Sequence, residues 1–172
     1  MKIKIVSDLH LEFYGVTIPN NGADVLILSG DIMVADGCKN IPTFEKFFES
    51  VHNDYRHVIY IPGNHEHYHG NITKTDDKIR EFLKDYPDVK YLSNEWVDID
   101  GVAFLGTTLW SDINKADPLS VWEAERCLND FRLVRNASGY RKYTPHDWIA
   151  NHFKALDFIR DTYNTIENNY DK

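Results

Sequence analysis

Three short apolar runs, Ile3 to Val6, Val25 to Leu28 and Val58 to Ile61, are each followed at once by a turn bearing polar side chains. Four or five aliphatic or β-branched residues bounded by turn residues read as buried strands. Between the second and third runs, Phe44, Phe47, Phe48 and Val51 recur at three- and four-residue steps, which predicts a helix over Ile41 to Val51. A second helix is predicted over Lys74 to Tyr86, with Ile79, Phe82 and Leu83 on its buried face and Pro87 beyond its end. Asp100-Gly101 separates two apolar-rich runs, so Glu95 to Ile99 and Val102 to Gly106 are predicted to pair as an antiparallel hairpin. Ser111 to Tyr143 is less regular, with a short helix around Leu119 to Cys127 and an aromatic, arginine-rich loop. Thr144 followed by Pro145, with Asp147 at the third helical position, opens a long amphipathic helix. Its apolar face carries Ile149, Phe153, Leu156, Ile159, Tyr163 and Ile166, and that face needs something to cover. The expectation is a layered α/β domain over residues 1–172, without repeats or linkers. Its mixed sheet has three parallel leading strands.

The turns after the three runs carry the candidate chemistry: Asp8-Leu9-His10, Gly30-Asp31 and Gly63-Asn64-His65-Glu66. In an open α/β sheet the loops at the carboxyl ends of the strands converge on one site. That geometry brings Asp8, His10, Asp31, Asn64 and His65 into one pocket. Carboxylate, imidazole and amide oxygen suit Mn, Fe, Zn or Mg and do not suggest a thiolate site. Asp31, behind a glycine, is placed to bridge two ions roughly 3.5–4 Å apart. Asn64 offers a neutral oxygen, His65 a proton for a leaving oxygen, and Glu66 an orienting carboxylate. Taken singly, Asp8 or Asp31 would be a turn or cap residue; with Asn64 and His65 the metal reading prevails. His67 and His69 read first as a solvated loop, with a substitute ligand or substrate contact as the alternative. Tyr68 is expected at the pocket rim and Trp110, after Thr107 and Thr108, in core packing. Arg126, Arg132, Arg135 and Arg141 read as a solvated basic face paired with Glu123, Glu125 and Asp130; phosphate recognition is the lesser reading.

Composition narrows the partners. With 172 residues, 42% hydrophobic and 27% charged, the chain can bury one core and is not of disordered type. The net charge of −8 argues against a broad nucleic-acid surface. It leaves a phosphate substrate open, because two divalent ions would add about +4 locally. Cys38 and Cys127 are far apart and in no ligand spacing, so they read as reduced thiols of a cytoplasmic protein. The opening Met1 to Leu9 is too short in its apolar run for a signal peptide, and no stretch approaches the ~18 apolar residues of a membrane span.

The ordered blocks D-x-H, G-D and G-N-H-E resemble the calcineurin-like metallophosphoesterases from Met1 to about Leu109. "FLGTTLW" and "DFRLVR" look like the bacterial and phage branch of that family. The family's later lone His and G-H-x-H are absent: beyond His69 the histidines are His146 and His152, neither behind an apolar strand or a glycine. The resemblance thus covers the amino-terminal half of the family pattern, with a fold incomplete on its carboxyl-terminal side and about half of the metal ligands. It implies a metal-dependent phosphoesterase that hydrolyses a phosphate mono- or diester by metal-bound hydroxide. Asp8, His10, Asp31 and Asn64 would be the metal ligands, His65 the catalytic acid, and Asn64 and His65 the substrate contacts. One divalent ion is expected, and two if another chain completes the site. The alternative is a weak or inactive family member that acts as an interaction protein, through a second copy or a complementing chain.

Overall fold

The apolar runs form a sheet in the computed structural model, which describes residues 1–136, 141–167 and Tyr170. Strands β1 (Ile3–Val6), β2 (Val25–Ser29), β3 (His57–Ile61) and β4 (Val89–Tyr91) lie in the order β1-β2-β3-β4, all parallel. The antiparallel part of the expected mixed sheet is a separate ladder, β5 (Glu95–Ile99) with β6 (Val102–Gly106).

Alternation along each strand sorts the side chains into two layers. Leu26, Leu28, Val58 and Tyr60 face helices α1 (Pro42–Asp54) and α2 (Ile72–Phe82). There they pack with Phe44, Phe47, Phe48, Val51, Ile79 and Phe82 in the main core. Val25, Ile27, Ile59 and Ile61 face the other way and are covered by the hairpin through Val97, Ile99 and Phe104. Each fully buried Phe, Leu or Val contributes about 1.5–3 kcal/mol, so the helix layer and the hairpin clamp β2 and β3 from both sides.

β1 departs from the buried strand its sequence predicts. It is one of the two edges of the sheet, and Ile3 and Ile5 are 45% and 65% exposed. Both are in register with Val25 and Ile27, on the hairpin side, but the hairpin covers only the inner strands.

After the hairpin, the left-handed turn α3 (Ile113–Ala116) leads to helix α4 (Pro118–Cys127) and the short helix α5 (Asp130–Leu133). The β7 (Arg135–Asn136) and β8 (Arg141–Lys142) pair then leads into α6 (Pro145–Ile166). The predicted cap of α6 is present as a full capping box between Thr144 and Asp147. Its apolar face is only partly covered, and Phe153 and Tyr163 remain 54% and 51% exposed. A second apolar cluster, Val34, Tyr68, Phe131, Val134 and Tyr143 with Trp110 and Trp148 packed against it, lies behind the loops at the strand ends. No helix among the described residues is long and apolar enough to cross a membrane.

Candidate metal centre

The loops after β1, β2 and β3 are tied by backbone bonds before any side chain acts. The Asp8, His10 and Leu11 amides donate to the carbonyls of Gly30, Asp31 and Ile32 at 3.1, 3.0 and 2.9 Å. The first loop therefore runs alongside the second, carrying Asp8 and His10 with it. Asp8, His10 and Asp31 all adopt positive φ, at 55°, 45° and 55°. A non-glycine residue held there costs of order 1–3 kcal/mol and persists only where the surroundings fix it. All three are predicted ligands, and the backbone bonds between the two loops are what hold them there.

Glu66 does that fixing. It is fully buried, and it bridges the second and third loops. Its Oε1 accepts from the Ile32 amide at 2.8 Å and the Tyr60 hydroxyl at 2.8 Å. Its Oε2 accepts from the Gly63 amide at 2.8 Å and the Asp31 amide at 3.1 Å. Burial pushes its pKa up, and the Asp31 charge adds to this. The Ile32 and Gly63 amides and the Tyr60 hydroxyl pull it back towards the charged form. Glu66, expected as an orienting carboxylate, brackets two loops. The loops also need two glycines. A Cβ on Gly63 would lie 2.2 Å from Asp31 Oδ1, and Gly30, at φ 86°, passes so close that a Cβ would sit 3.0 Å from Gly63 Cα.

Within that frame, ligand atoms of His10, Asp31 and His65 all lie within 4.8 Å of one another. Asp31 Oδ1 accepts from the His65 amide at 3.0 Å. The two imidazoles meet edge-on at 4.3 Å, and His65 stacks on Tyr68 at 4.1 Å. Glu12, which belongs to none of the three motif blocks, lies between them, its Oε1 3.3 Å from Nδ1 of both His10 and His65. Its other oxygen is buried with no hydrogen-bond partner among the described residues. A carboxylate on one ring nitrogen leaves the other free to bind an ion, the usual outer arrangement of a metal histidine. Asp31 and Glu12 beside two imidazoles, with an orphaned buried carboxylate oxygen, fit a divalent cation, while Asp8, an expected ligand, is outside the group of His10, Asp31 and His65.

Asn64 faces a second network. Its Nδ2 donates to Asp130 Oδ1 at 2.9 Å and to the Tyr68 hydroxyl at 3.3 Å, and that hydroxyl donates to Asp130 Oδ2 at 3.2 Å. Asp130 is therefore not a partner of the arginines, as its sequence neighbours suggested; it is buried at the site. Tyr68 lies under the site rather than at a rim, and burial followed by the Asp130 charge pushes its pKa upward. Of the arginines, Arg141 forms a bidentate pair with Asp147, and Arg126 lies over Trp122.

The solvated reading of His67 is also corrected. It is 5% exposed, its Nδ1 is 2.8 Å from Thr75 Oγ1, and it stacks on Trp110 at 5.7 Å. Burial lowers its pKa to about 4. It is a neutral core histidine outside the cluster of His10, Asp31 and His65. His69 is exposed, its backbone held by the Leu133 carbonyl at 3.1 Å. The Thr108 hydroxyl donates to the Pro62 carbonyl, which ties the hairpin exit to the third loop.

A curated protein of Acanthamoeba polyphaga mimivirus, uncharacterized protein L509, is 27% identical over 177 residues. The match covers 91% of this chain and 61% of that protein. Among solved structures, phosphopantetheinyl hydrolase (PptH) from Mycobacterium tuberculosis superposes with a TM-score of 0.56 at 17% identity. That superposition spans 96% of this chain and 63% of the hydrolase, a likeness of fold. The chain thus spans less than two thirds of the length of either relative. The family model for calcineurin-like phosphoesterases matches residues 1–168. On that match, and with its motif loops converging at the ends of three parallel strands, the chain belongs to the calcineurin-like phosphoesterase family.

Proposed function

We propose that this chain carries the metal site of a phosphoesterase that hydrolyses a phosphate mono- or diester. The observation behind this reading is the meeting of two expected ligands, His10 and Asp31, with the expected acid His65, all within 4.8 Å at the carboxyl ends of three parallel strands. Asp8, His10, Asp31 and Asn64 hold the divalent cation, of the Mn, Fe, Zn or Mg class. When bound, such ions activate water near neutral pH and offset the charge on the phosphate. The chain's own residues do the rest. Glu12 occupies Nδ1 of His10 and so presents its Nε2 as the ligand atom. Asp31 is held by the His65 amide on one oxygen, with Glu66 bracing its backbone. His65, positioned by Glu12 and by stacking on Tyr68, hands a proton to the leaving oxygen, and Asn64 and His65 contact the phosphate. General acid catalysis of this kind contributes typically 10²–10⁴-fold.

The test is metal content after Mn loading, alongside hydrolysis of bis(p-nitrophenyl) phosphate. Wild type is expected to hold Mn and Asp31→Asn to lose it. His65→Ala is expected to keep the metal and lose turnover by about 10²–10⁴-fold. Equal, near-zero metal in wild type and Asp31→Asn would refute the reading. A second reading, in which the chain acts with a partner surface as a weak catalyst on its own, is favoured by the uncovered Ile3 and Ile5 on the edge strand.

A further inference from the structure

We infer that Asp130 is the positioning residue for Asn64, fixing which end of its amide is offered as a ligand. The inference rests on the proposed metal role of Asn64. An asparagine amide has a donor end and an acceptor end of nearly the same shape, and only the oxygen can bind a cation. A side chain free to flip would present the wrong end part of the time. Asp130 removes that freedom. A carboxylate only accepts hydrogen bonds, so the end of Asn64 that lies 2.9 Å from Asp130 Oδ1 is the NH2 group, and the carbonyl oxygen faces elsewhere. Tyr68 completes a closed triangle: its hydroxyl accepts from Asn64 at 3.3 Å and donates to Asp130 Oδ2 at 3.2 Å. Each proton in the triangle has one acceptor, so the arrangement has a single orientation.

The fold goes to some length to place this carboxylate. Asp130 comes from 66 residues further along the chain. It opens the short helix α5, whose Phe131 is buried in the second apolar cluster. The Leu133 carbonyl accepts from the His69 amide at 3.1 Å, and the Gly70 carbonyl accepts from the Arg135 amide at 2.9 Å, so the segment is fastened to the loop that follows Asn64. Asp130 is 3% exposed. A carboxylate so buried is costly unless its oxygens are satisfied, and here one oxygen is used by Asn64 and the other by Tyr68.

The experiment measures Mn affinity by titration calorimetry for wild type, Asp130→Leu, Asp130→Asn, Asn64→Ala and the Asn64→Ala/Asp130→Leu double variant. Loss of an outer partner of a metal ligand typically costs 10–100-fold in affinity. Asp130→Leu is expected to weaken Mn binding by about 10–100-fold. Asp130→Asn retains an acceptor oxygen and is expected to stay near wild type. In the Asn64→Ala background, Asp130→Leu is expected to have no further effect, because Asp130 acts through Asn64. As a readout independent of any variant's folding, the Asn64 side-chain NH2 protons of wild type are expected to be slow to exchange by NMR. Wild-type affinity in Asp130→Leu, an equal loss in both backgrounds, or fast-exchanging Asn64 NH2 protons would each overturn the positioning role and leave the metal site standing. A wild-type chain that binds no Mn would overturn the metal reading beneath it.

Discussion

At the scale of single residues, the site is decided by close approaches that tolerate no extra atom. Gly63 shows this most directly, since a Cβ there would lie 2.2 Å from the Asp31 carboxylate and 2.7 Å from its amide nitrogen. Gly63→Ala must push Asp31 out of place or break the Glu66 bracket. It is expected to reduce Mn affinity at least about tenfold and stability by about 1–3 kcal/mol, read by calorimetric titration and thermal melting. Unchanged Mn affinity would show that the Asp31 carboxylate is free to relocate. His67 makes a different kind of prediction. Its folded pKa of about 4 lies below its ordinary 6.5, so the folded chain resists the proton that the unfolded chain accepts. Its stabilising effect is complete above pH 6.5 and is lost as pH falls towards 4, about 2 kcal/mol of it by pH 5 and about 3 kcal/mol in all. Urea denaturation at pH 7 and pH 5 is expected to show that loss in wild type and a smaller one in His67→Gln. Equal losses in the two proteins would place the titrating group elsewhere.

At the scale of elements, local sequence signals were strong wherever one segment decides its own shape. The hairpin Glu95–Ile99 with Val102–Gly106 was legible to the residue, because Asp100-Gly101 supplies the positive φ that its turn requires. Helix α6 likewise begins where Thr144, Pro145 and Asp147 place it. Thr144→Ala removes the side-chain half of that capping box and is expected to cost about 1 kcal/mol. A lowered urea midpoint with an unchanged slope would register it, and an unchanged midpoint would mean that the Arg141–Asp147 pair holds the helix start alone. What was not legible depends on distant segments. Val89–Tyr91 is too short to show a period, and it is a strand because β3 pairs with it. Asp130 lies among arginines in the sequence, yet the second apolar cluster turns it inward to Asn64. His67 and His69 look alike in an H-x-H string. One is buried against Trp110 and the other is exposed, because the chain turns at His69 with φ 60°. Glu12 was not legible, because a two-residue step aligns side chains only along an extended chain, and Asp8 and His10 both adopt positive φ.

At the scale of the whole molecule, the two faces of the sheet are finished to different degrees. The helix layer covers its side with a continuous aromatic core, while the hairpin layer stops at β2 and leaves the side chains of β1 on that face open. An edge strand exposes unpaired backbone groups, and natural proteins blunt such edges with charge, proline or a cover. Lys2 and Lys4 supply some charge, but Lys4 Nζ is turned to the Pro19 carbonyl at 2.8 Å, and the outward positions on the hairpin side are Ile3 and Ile5. Isoleucines 45% and 65% exposed lie on the strand that leads into the Asp8 loop, so a cover on them is expected to steady that loop as well. A second copy of the chain meets the requirement by an isologous contact, β1 against β1 about a two-fold axis, which closes on itself and needs no other surface. The expected outcome is concentration-dependent dimerisation in sedimentation experiments, abolished by Ile3→Lys/Ile5→Lys. Turnover on bis(p-nitrophenyl) phosphate is expected to rise with the dimer fraction in wild type and to stay low in the variant. A monodisperse monomer with robust turnover, lost in His65→Ala, would refute this and show that the site works without any cover on β1. A monomer with weak turnover would refute the second copy as the cover.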